Sequence, residues 1–250
     1  MTGHHPSFDI VVLGSVGSTN DEAHQLAREG ARHLTVVSAA EQSGGRGRRG
    51  RAWASPPGNV YVSMILRPDC APAQAAQISF LAALAVRDTA RSALGDSSAI
   101  KVKWPNDVLV GGSKISGILL ETGSVAAEAV DYVVIGIGLN VLHHPEDSER
   151  PSTSLAAQGA SFDTSHARAT LLERLGYWYH VWHERGFAPV RESWLADAAG
   201  KGEEIEVRLP DRVLKGVFAD LDEDGALLLE TVQGRQRIAA GDVYLRPSAS

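Results

Sequence analysis

Cysteine is nearly missing from this chain. Cys70 is the single one among 250 residues, so no disulfide forms within the chain and a stapled secreted framework is excluded. Long apolar runs are missing too. The richest, "YVVIGIGLNVL", is broken by glycines and is well short of the roughly 18–20 residues a membrane-spanning helix needs. The opening "MTGHHPSFDIVVLG" has neither the basic stretch nor the apolar length of a signal peptide. Positive charge is in deficit: 24 Lys plus Arg against 30 Asp plus Glu give a net charge of −6. A surface devoted as a whole to nucleic acid or anionic lipid is thereby excluded, while a local basic site is not. Internal repeats, coiled-coil heptads and low-complexity tracts are also lacking, as is a helix-turn-helix segment ahead of the first strand. These absences lead to the expectation of a cytoplasmic protein in a reducing compartment, with no DNA and no membrane as partner.

What the chain does have is enough apolar residue, 44%, to build a large core. "FDIVVLG" is predicted to form a buried strand. A helix should follow, with Thr19 and Glu22 at capping-box spacing and Gly30 at its end. "LTVVSAA" and "NVYVSMILRP" are further strands, "AQAAQISFLAALAVRDTARSAL" a helix, and "IKVKW" a short strand before Pro105. "KISGILLE" and "YVVIGIGLNV" read as neighbouring strands, and "SHARATLLERLGYWYHVWHERG" as a long amphipathic helix after a polar passage from His143 to about Ser154. From Lys201 the chain changes to short alternating runs, "EIEVRL", "VLKGVFADL", "ALLLETV" and "QRIAAGDVYLR", with turns between them. The fold class is therefore α+β, a mixed sheet with helices over 1–199 and a small β-barrel over 200–250, the boundary lying near Ala198 to Gly202.

Two stretches carry chemistry. "EQSGGRGRRGRAW" sets Arg46, Arg48, Arg49 and Arg51 among glycines in a loop between two strands. Four guanidiniums held close repel one another, and their forks match carboxylate and phosphate oxygens, so such a loop is expected to be mobile until an anion arrives. On composition alone it serves equally as an exposed RNA-binding loop, although its one aromatic, Trp53, does not interleave with the arginines as stacking platforms do. No Gly-Lys-Ser/Thr follows, so it is not a Walker A loop. "KWPNDVLVGGSKISGILLE" places Asn106 and Asp107 at a strand end and Lys114 before an apolar run, where a lysine wants an anionic partner. "GIGLNV" lacks the third glycine of a dinucleotide fingerprint. Asn140 at its end suits a base, a ribose or a turn. Cys70 has no histidine near it in sequence, the pairs His4-His5 and His143-His144 have the wrong spacing for ligands on one helical face, and Trp178, Tyr179 and Trp182 fit core packing.

In order and spacing, "GSTN", "EQSGGRGRRGRAW", "KWPNDVLV", "SKISGILLE" and "VVIGIGLNV" resemble the biotin protein ligases, from Gly17 to Val141. The resemblance implies a catalytic domain related to class II aminoacyl-tRNA synthetases, an SH3-like C-terminal domain, and the monofunctional type without a DNA-binding domain. It implies biotin and ATP as substrates with Mg²⁺, biotinyl-5'-AMP as intermediate, and a lysine on a biotin carboxyl carrier protein domain, such as that of acetyl-CoA carboxylase, as acceptor. A monomer and a homodimer both suit the family. Carried over onto this chain, Arg46, Arg48, Lys114 and Asp107 are the catalytic set, with Asp107 orienting Arg48, binding metal or taking the acceptor's proton. Ser18, Thr19, Asn20, Gln42, Gly47, Gly117 and Leu119 join Arg46, Arg48 and Lys114 around biotin. Arg48, Arg49, Trp53, Asn106, Lys114 and Asn140 face ATP, with Trp53 on adenine. Ser18, Thr19 and Gln42 would stand unpaired under an alkyl chain, which disfavours the related lipoate and octanoate ligases.

Overall fold

The computed structural model describes residues 7–95, 99–126, 129–146 and 150–245; the His4-His5 pair lies outside them. In chain order the strands of the first part are β1 (Asp9–Val16), β2 (Thr35–Gln42), β3 (Val60–Leu66), β4 (Ile100–Lys103), β5 (Asp107–Val110), β6 (Ser113–Thr122), the small hairpin β7 (Val125–Ala126) and β8 (Ala129–Val130), and β9 (Val133–Leu139). Seven of them form one sheet in the order β1-β2-β3-β9-β6-β5-β4. β1 and β2 run parallel and the remaining neighbours antiparallel. The expected pairing of "KISGILLE" with "YVVIGIGLNV" is present as β6 on β9.

Alternation along the central strands decides what covers each face. Val60, Val62, Met64 and Leu66 of β3 and Val133, Ile135, Ile137 and Leu139 of β9 point to a core shared with α3 (Ile78–Leu94) and α4 (Thr164–Arg185). α2 (Pro72–Ala76) precedes α3 with a break at Gln77, so the expected single helix is two. Trp178, Tyr179 and Trp182 pack in this core, the two indoles donating to Asp88 and to Gln77. The other face carries α1 (Thr19–Arg28), whose Ala23 and Ala27 close over Val37, Ile65 and Val134.

Two local expectations fail. β1 is the sheet's edge and not a buried strand: it pairs only with β2, and Ile10 and Val12 are 47% and 62% exposed. The Thr19–Glu22 capping box does not form, because Ser18 is the cap residue and the Thr19 hydroxyl is turned to Gln42 Oε1, 3.0 Å away.

After α5 (Ala188–Ala196) come β10 (Glu204–Arg208), β11 (Val213–Leu221), β12 (Leu227–Thr231), β13 (Gly234–Ile238) and β14 (Asp242–Leu245), an antiparallel sheet in the order β13-β12-β11-β10-β14. "QRIAAGDVYLR", expected as one run, is thus two strands at opposite edges, and β14 crosses back to pair with β10. The expected boundary falls between α5 and β10, yet one core runs across it: Phe218, Leu221 and Leu227 join Trp194, Phe80 and Trp104. The Trp104 indole N–H donates to Gly225 O at 3.1 Å, fastening the second sheet to the first.

Candidate active site

A cavity of about 360 Å³ opens on the α1 face of the large sheet, between α1, the Arg-Gly loop and β14. One cross-strand row supplies much of its floor: Lys103, Asp107, Gly117 and Gly138 are successive partners on β4, β5, β6 and β9. Two glycines side by side leave the sheet bare, and the indole of Trp53 lies in that space. A Cβ on Gly138 would come within 2.4 Å of Trp53 Nε1, and one on Gly117 within 3.0 Å of Trp53 Cζ3. One row further on, a Cβ on Gly136 would meet Asn20 Oδ1 at 2.1 Å. The glycines of "GIGLN" therefore serve close approach of side chains to the sheet and not a phosphate turn.

In a regular strand Lys114 and Gly117, three positions apart, would face opposite sides. A bulge corrects this: Val108 pairs with Ser116 and Leu109 with Lys114, so Ile115 is the extra residue. Lys114 is thereby turned onto the cavity face, its backbone held by Pro151 O and Thr153 N. Its ammonium is 2.6 Å from Asp107 and 5.2 Å from the Trp53 ring centroid. Asp107 is buried, with Lys103 at 3.3 Å and Arg150 at 3.8 Å. Burial alone would push its carboxyl up, but Lys114 and Lys103 outweigh burial and hold it below the ordinary value. Burial pushes the Lys103 ammonium down, with Asp107 opposing.

At the other end of the cavity the groups are neutral and closely linked. Gln42 Oε1 accepts from the Thr19 backbone N–H at 2.8 Å, and its Nε2 donates to Ser55 Oγ at 2.9 Å. Ser63, fully buried, reaches Thr19 Oγ1 at 2.8 Å and Asn20 Oδ1 at 2.6 Å. Thr19 and Gln42 are thus satisfied within the protein, and the expectation that they stand unpaired under an apolar ligand does not hold.

The Arg-Gly loop has a defined path that includes one turn, Arg48–Gly50, in which Arg49 takes φ 58°. Gly47 N–H donates to Arg51 O and Trp53 N–H to Gly45 O. Arg46 grips Asp21 with both terminal nitrogens, at 2.8 and 2.7 Å, and reaches Glu121 at 3.2 Å. The other three converge on one carboxylate of the second sheet: Arg51, Arg49 and Arg48 lie 3.1, 3.2 and 3.8 Å from Asp242. The anion that offsets their repulsion is the protein's own. Arg46, Arg48, Arg51, Lys103, Lys114 and Arg150 together line the cavity against the carboxylates Asp107 and Asp242, a strongly positive pocket in a chain of net charge −6.

Residues 14–140 match the model of the biotin/lipoate A/B protein ligase family, and residues 201–246 match that of the biotin protein ligase C terminal domain. The chain is 40% identical over 239 residues to a biotin--[acetyl-CoA-carboxylase] ligase of Paracoccus denitrificans, spanning 93% of this chain and 99% of that protein. The chain belongs to the biotin protein ligases. A second relative, from Mycobacterium tuberculosis and bearing the same enzyme name, is 34% identical over 93% of this chain and 87% of its own length. Among solved structures, a biotin protein ligase of Aquifex aeolicus in complex with biotin and ATP superposes with a TM-score of 0.81 at 27% identity, covering 96% and 99% of the two chains.

Most of the residues expected at the site of this biotin protein ligase line the one cavity: Ser18, Thr19, Asn20, Gln42, Arg46, Gly47, Arg48, Trp53, Asn106, Asp107, Lys114, Gly117, Leu119 and Asn140. Arg49 does not. Its guanidinium is turned to Asp242, whereas Arg51, which was not among the expected site residues, lines the cavity. Asp107 was expected to orient Arg48, bind metal or take a proton; its side-chain ion pairs are with Lys103, Lys114 and Arg150. Two amides are spent on backbone carbonyls, Asn106 Nδ2 on Ile118 O and Asn140 Nδ2 on Thr153 O. Cys70 lies away from the cavity, and burial pushes its thiol up, the wrong direction for a nucleophile. Among the described residues no group of His, Cys, Asp or Glu side chains has the arrangement of a metal site, and both cavity carboxylates are already engaged by cations. The residues present do not form a resident magnesium site.

Sequence reasoning missed Lys103, Arg150, Asp242, Asp21 and Glu121. Lys103 had a signal: with Asp107 it brackets the Trp-Pro-Asn turn of a hairpin, at the distance that makes cross-strand partners. Asp242 had none, since it reaches the loop across 191 positions of chain.

Proposed function

We propose that this chain carries out ATP-dependent biotinylation of a lysine on a biotin carboxyl carrier protein domain. The observation that carries this reading is the cavity's division into a neutral hydrogen-bonding end, made by Ser18, Thr19, Asn20 and Gln42, and a cationic end, made by Arg48, Arg51, Lys103, Lys114 and Arg150. A small acid with a polar head suits the first, and a polyphosphate suits the second. The biotin and ATP held by the Aquifex relative, and the names of the curated relatives, support these as the substrates. MgATP is the nucleotide substrate, its cation arriving on the phosphate oxygens.

In the first step a carboxylate oxygen of biotin bonds to the α-phosphorus as the bond to the β-phosphate oxygen breaks, giving biotinyl-5'-AMP and pyrophosphate. Two anions must be brought together, and fixed cations in a partly enclosed site do this best where charge develops. Lys114, steered by Asp107 and by the bulge at Ile115, is assigned to that point with Arg48, while Arg46, held by Asp21 and Glu121 beside Asn20, is assigned to the biotin end. In the second step a carrier lysine's uncharged amine attacks the acyl carbon, AMP leaves, and a proton is released. Asp107, held ionised by two lysines, is a weak base; its part is to position Lys114. Trp53, seated over Gly117 and Gly138, is assigned to the adenylate and closes the floor beneath it.

Biotin-dependent exchange of labelled pyrophosphate into ATP tests this, with lipoate and octanoate as parallel substrates. Exchange with biotin alone is expected; exchange with lipoate or octanoate instead would move the chain to another branch of its family. Salt-sensitive RNA binding without exchange would overturn the reading altogether.

A further inference from the structure

Asp242 and Tyr244, two positions apart on β14, share one face of that strand. Asp242 meets three arginines of the Arg-Gly loop. Tyr244 meets an arginine of a different loop: the Arg150 guanidinium lies over its ring, 4.4 Å from the centroid. A guanidinium so placed is attracted to the ring and gives up much of its rotational freedom. Arg208 lies over the same ring at 3.8 Å but does not line the cavity, whereas Arg150 does.

The passage that carries Arg150 is tied at both ends. Where the chain leaves β9, the buried Asn59 Oδ1 accepts from the backbone N–H groups of Val141, Leu142 and His143 at 2.8, 3.0 and 3.1 Å. Directly after Arg150, Pro151 O accepts from Lys114 N–H at 2.8 Å and Thr153 N–H donates to Lys114 O at 2.9 Å. Arg150 and Lys114 therefore reach the cavity from stretches of backbone bonded to each other. Their side chains meet different oxygens of Asp107: Lys114 lies 2.6 Å from Oδ1, while Lys103 and Arg150 lie 3.3 and 3.8 Å from Oδ2. Three cations against one carboxylate leave positive charge for a ligand, and the two sides differ in what lies beside them. On the Oδ1 side the Lys114 ammonium is 5.2 Å from the Trp53 ring centroid, so the α-phosphate of a nucleotide on Trp53 belongs there. On the Oδ2 side Lys103 is fastened to the second sheet by Val243 O, 3.4 Å away, and the phosphates beyond the α-phosphate belong there.

We infer that Arg150 is a catalytic residue of the adenylation step, receiving the leaving pyrophosphate beside Lys103, and that Tyr244 is the positioning residue that holds it there. This rests on the biotin and ATP reading above. As the carboxylate oxygen of biotin bonds to the α-phosphorus, the electron pair of the breaking bond passes to the β-phosphate oxygen, and charge grows on the group that departs. A guanidinium takes two oxygens of that group, and no proton moves. The later attack by a carrier lysine involves no pyrophosphate, so Arg150 and Tyr244 serve one half of the reaction only.

The test is the KM for inorganic pyrophosphate in biotin-dependent exchange with the full chain. It is read beside calorimetric biotin binding and beside transfer of biotin from presynthesised biotinyl-5'-AMP to a carrier domain, a step without pyrophosphate. Arg150→Ala should raise the pyrophosphate KM about 10- to 100-fold, and Tyr244→Ala about 3- to 30-fold. Biotin affinity and transfer from the adenylate should stay within about twofold in both. Tyr244→Phe keeps the ring and should keep the pyrophosphate KM of the unaltered chain, and Tyr244→Ala added to Arg150→Ala should raise it no further. Arg208→Ala is the control, expected to leave the KM within about twofold because that arginine is exposed and outside the cavity. Should Tyr244→Ala fail to fold, Tyr244→Leu keeps apolar bulk without a ring face and should raise the KM in the same way. An unchanged pyrophosphate KM in Arg150→Ala, an equal loss in biotin affinity or in transfer from the adenylate, or no rescue by Tyr244→Phe overturns the inference. No biotin-dependent exchange by the unaltered chain would instead overturn the reading on which it stands.

Discussion

Asp242 accepts from Arg51 at 3.1 Å across the junction of the two sheets, although 191 positions of chain separate them. Arg49 meets the same carboxylate at 3.2 Å and Arg48 lies 3.8 Å away. The loop's resting position therefore depends on a counter-charge from the C-terminal sheet. Replacing Asp242 with Asn should free it. Three partly exposed pairs at roughly 0.5 kcal/mol each amount to about a tenfold rise in the open population. Initial tryptic cleavage within 46–51 measures it, and biotin with MgATP should suppress it in both proteins. Cleavage at the wild-type rate would show that the backbone bonds alone hold the loop.

Lys114→Ala should slow adenylate formation by about 10²- to 10³-fold while biotin affinity falls far less. Pyrophosphate exchange read beside calorimetric biotin binding separates the two. Equal losses would make the lysine a binding residue only.

Gly138→Ala should displace Trp53, since the added carbon would sit 2.4 Å from the indole nitrogen. A destabilisation of about 1–3 kcal/mol in urea is expected, with biotinyl-adenylate formation falling at least about tenfold as the floor is lost. Gly14→Ala is the control: nothing lies within 4 Å of the new carbon, and both quantities should be unchanged.

Asp107 ties stability to acid. Its folded carboxyl is held below the ordinary 3.8, so the unfolded chain binds more protons as acid is added. The carboxylate's contribution is full above 3.8 and is lost as pH falls through the depressed folded value. Urea midpoints from neutrality to about pH 3 should fall for the natural chain. For Asp107→Asn, which strands Lys103 and Lys114, they should start lower and fall less steeply. Asp21 and Asp222, also held below the ordinary value by Arg46 and by backbone N–H bonds respectively, keep part of the slope in both proteins.

Period-two runs such as "NVYVSMILRP" and the helical spacing of "SHARATLLERLGYWYHVWHERG" made most elements legible, because burial dictates them locally. Glycine was legible as punctuation but not as floor: in "GIGLN" it is the side chains of Asn20 and Trp53, brought in from elsewhere, that require its smallness. Thr19 and Gln42 were legible as polar and near a helix start. Their mutual bond was not, since it spans 23 positions. The bulge at Ile115, which turns Lys114 to the right face, leaves no mark in "SKISG". Of the arginines, local sequence could not rank Arg49 against Arg51, because the ranking is made by Asp242.

That carboxylate also orders events in time. A ribosome delivers the sheet, α1 and the Arg-Gly loop long before Asp242 and Val243, which line the cavity from β14. The large sheet can collapse early, while three arginines wait for their counter-charge. The cavity gains its last wall only when β14 has emerged and paired with β10, so a nascent or clipped chain ending before residue 242 holds every residue of the long motifs and still lacks a closed site.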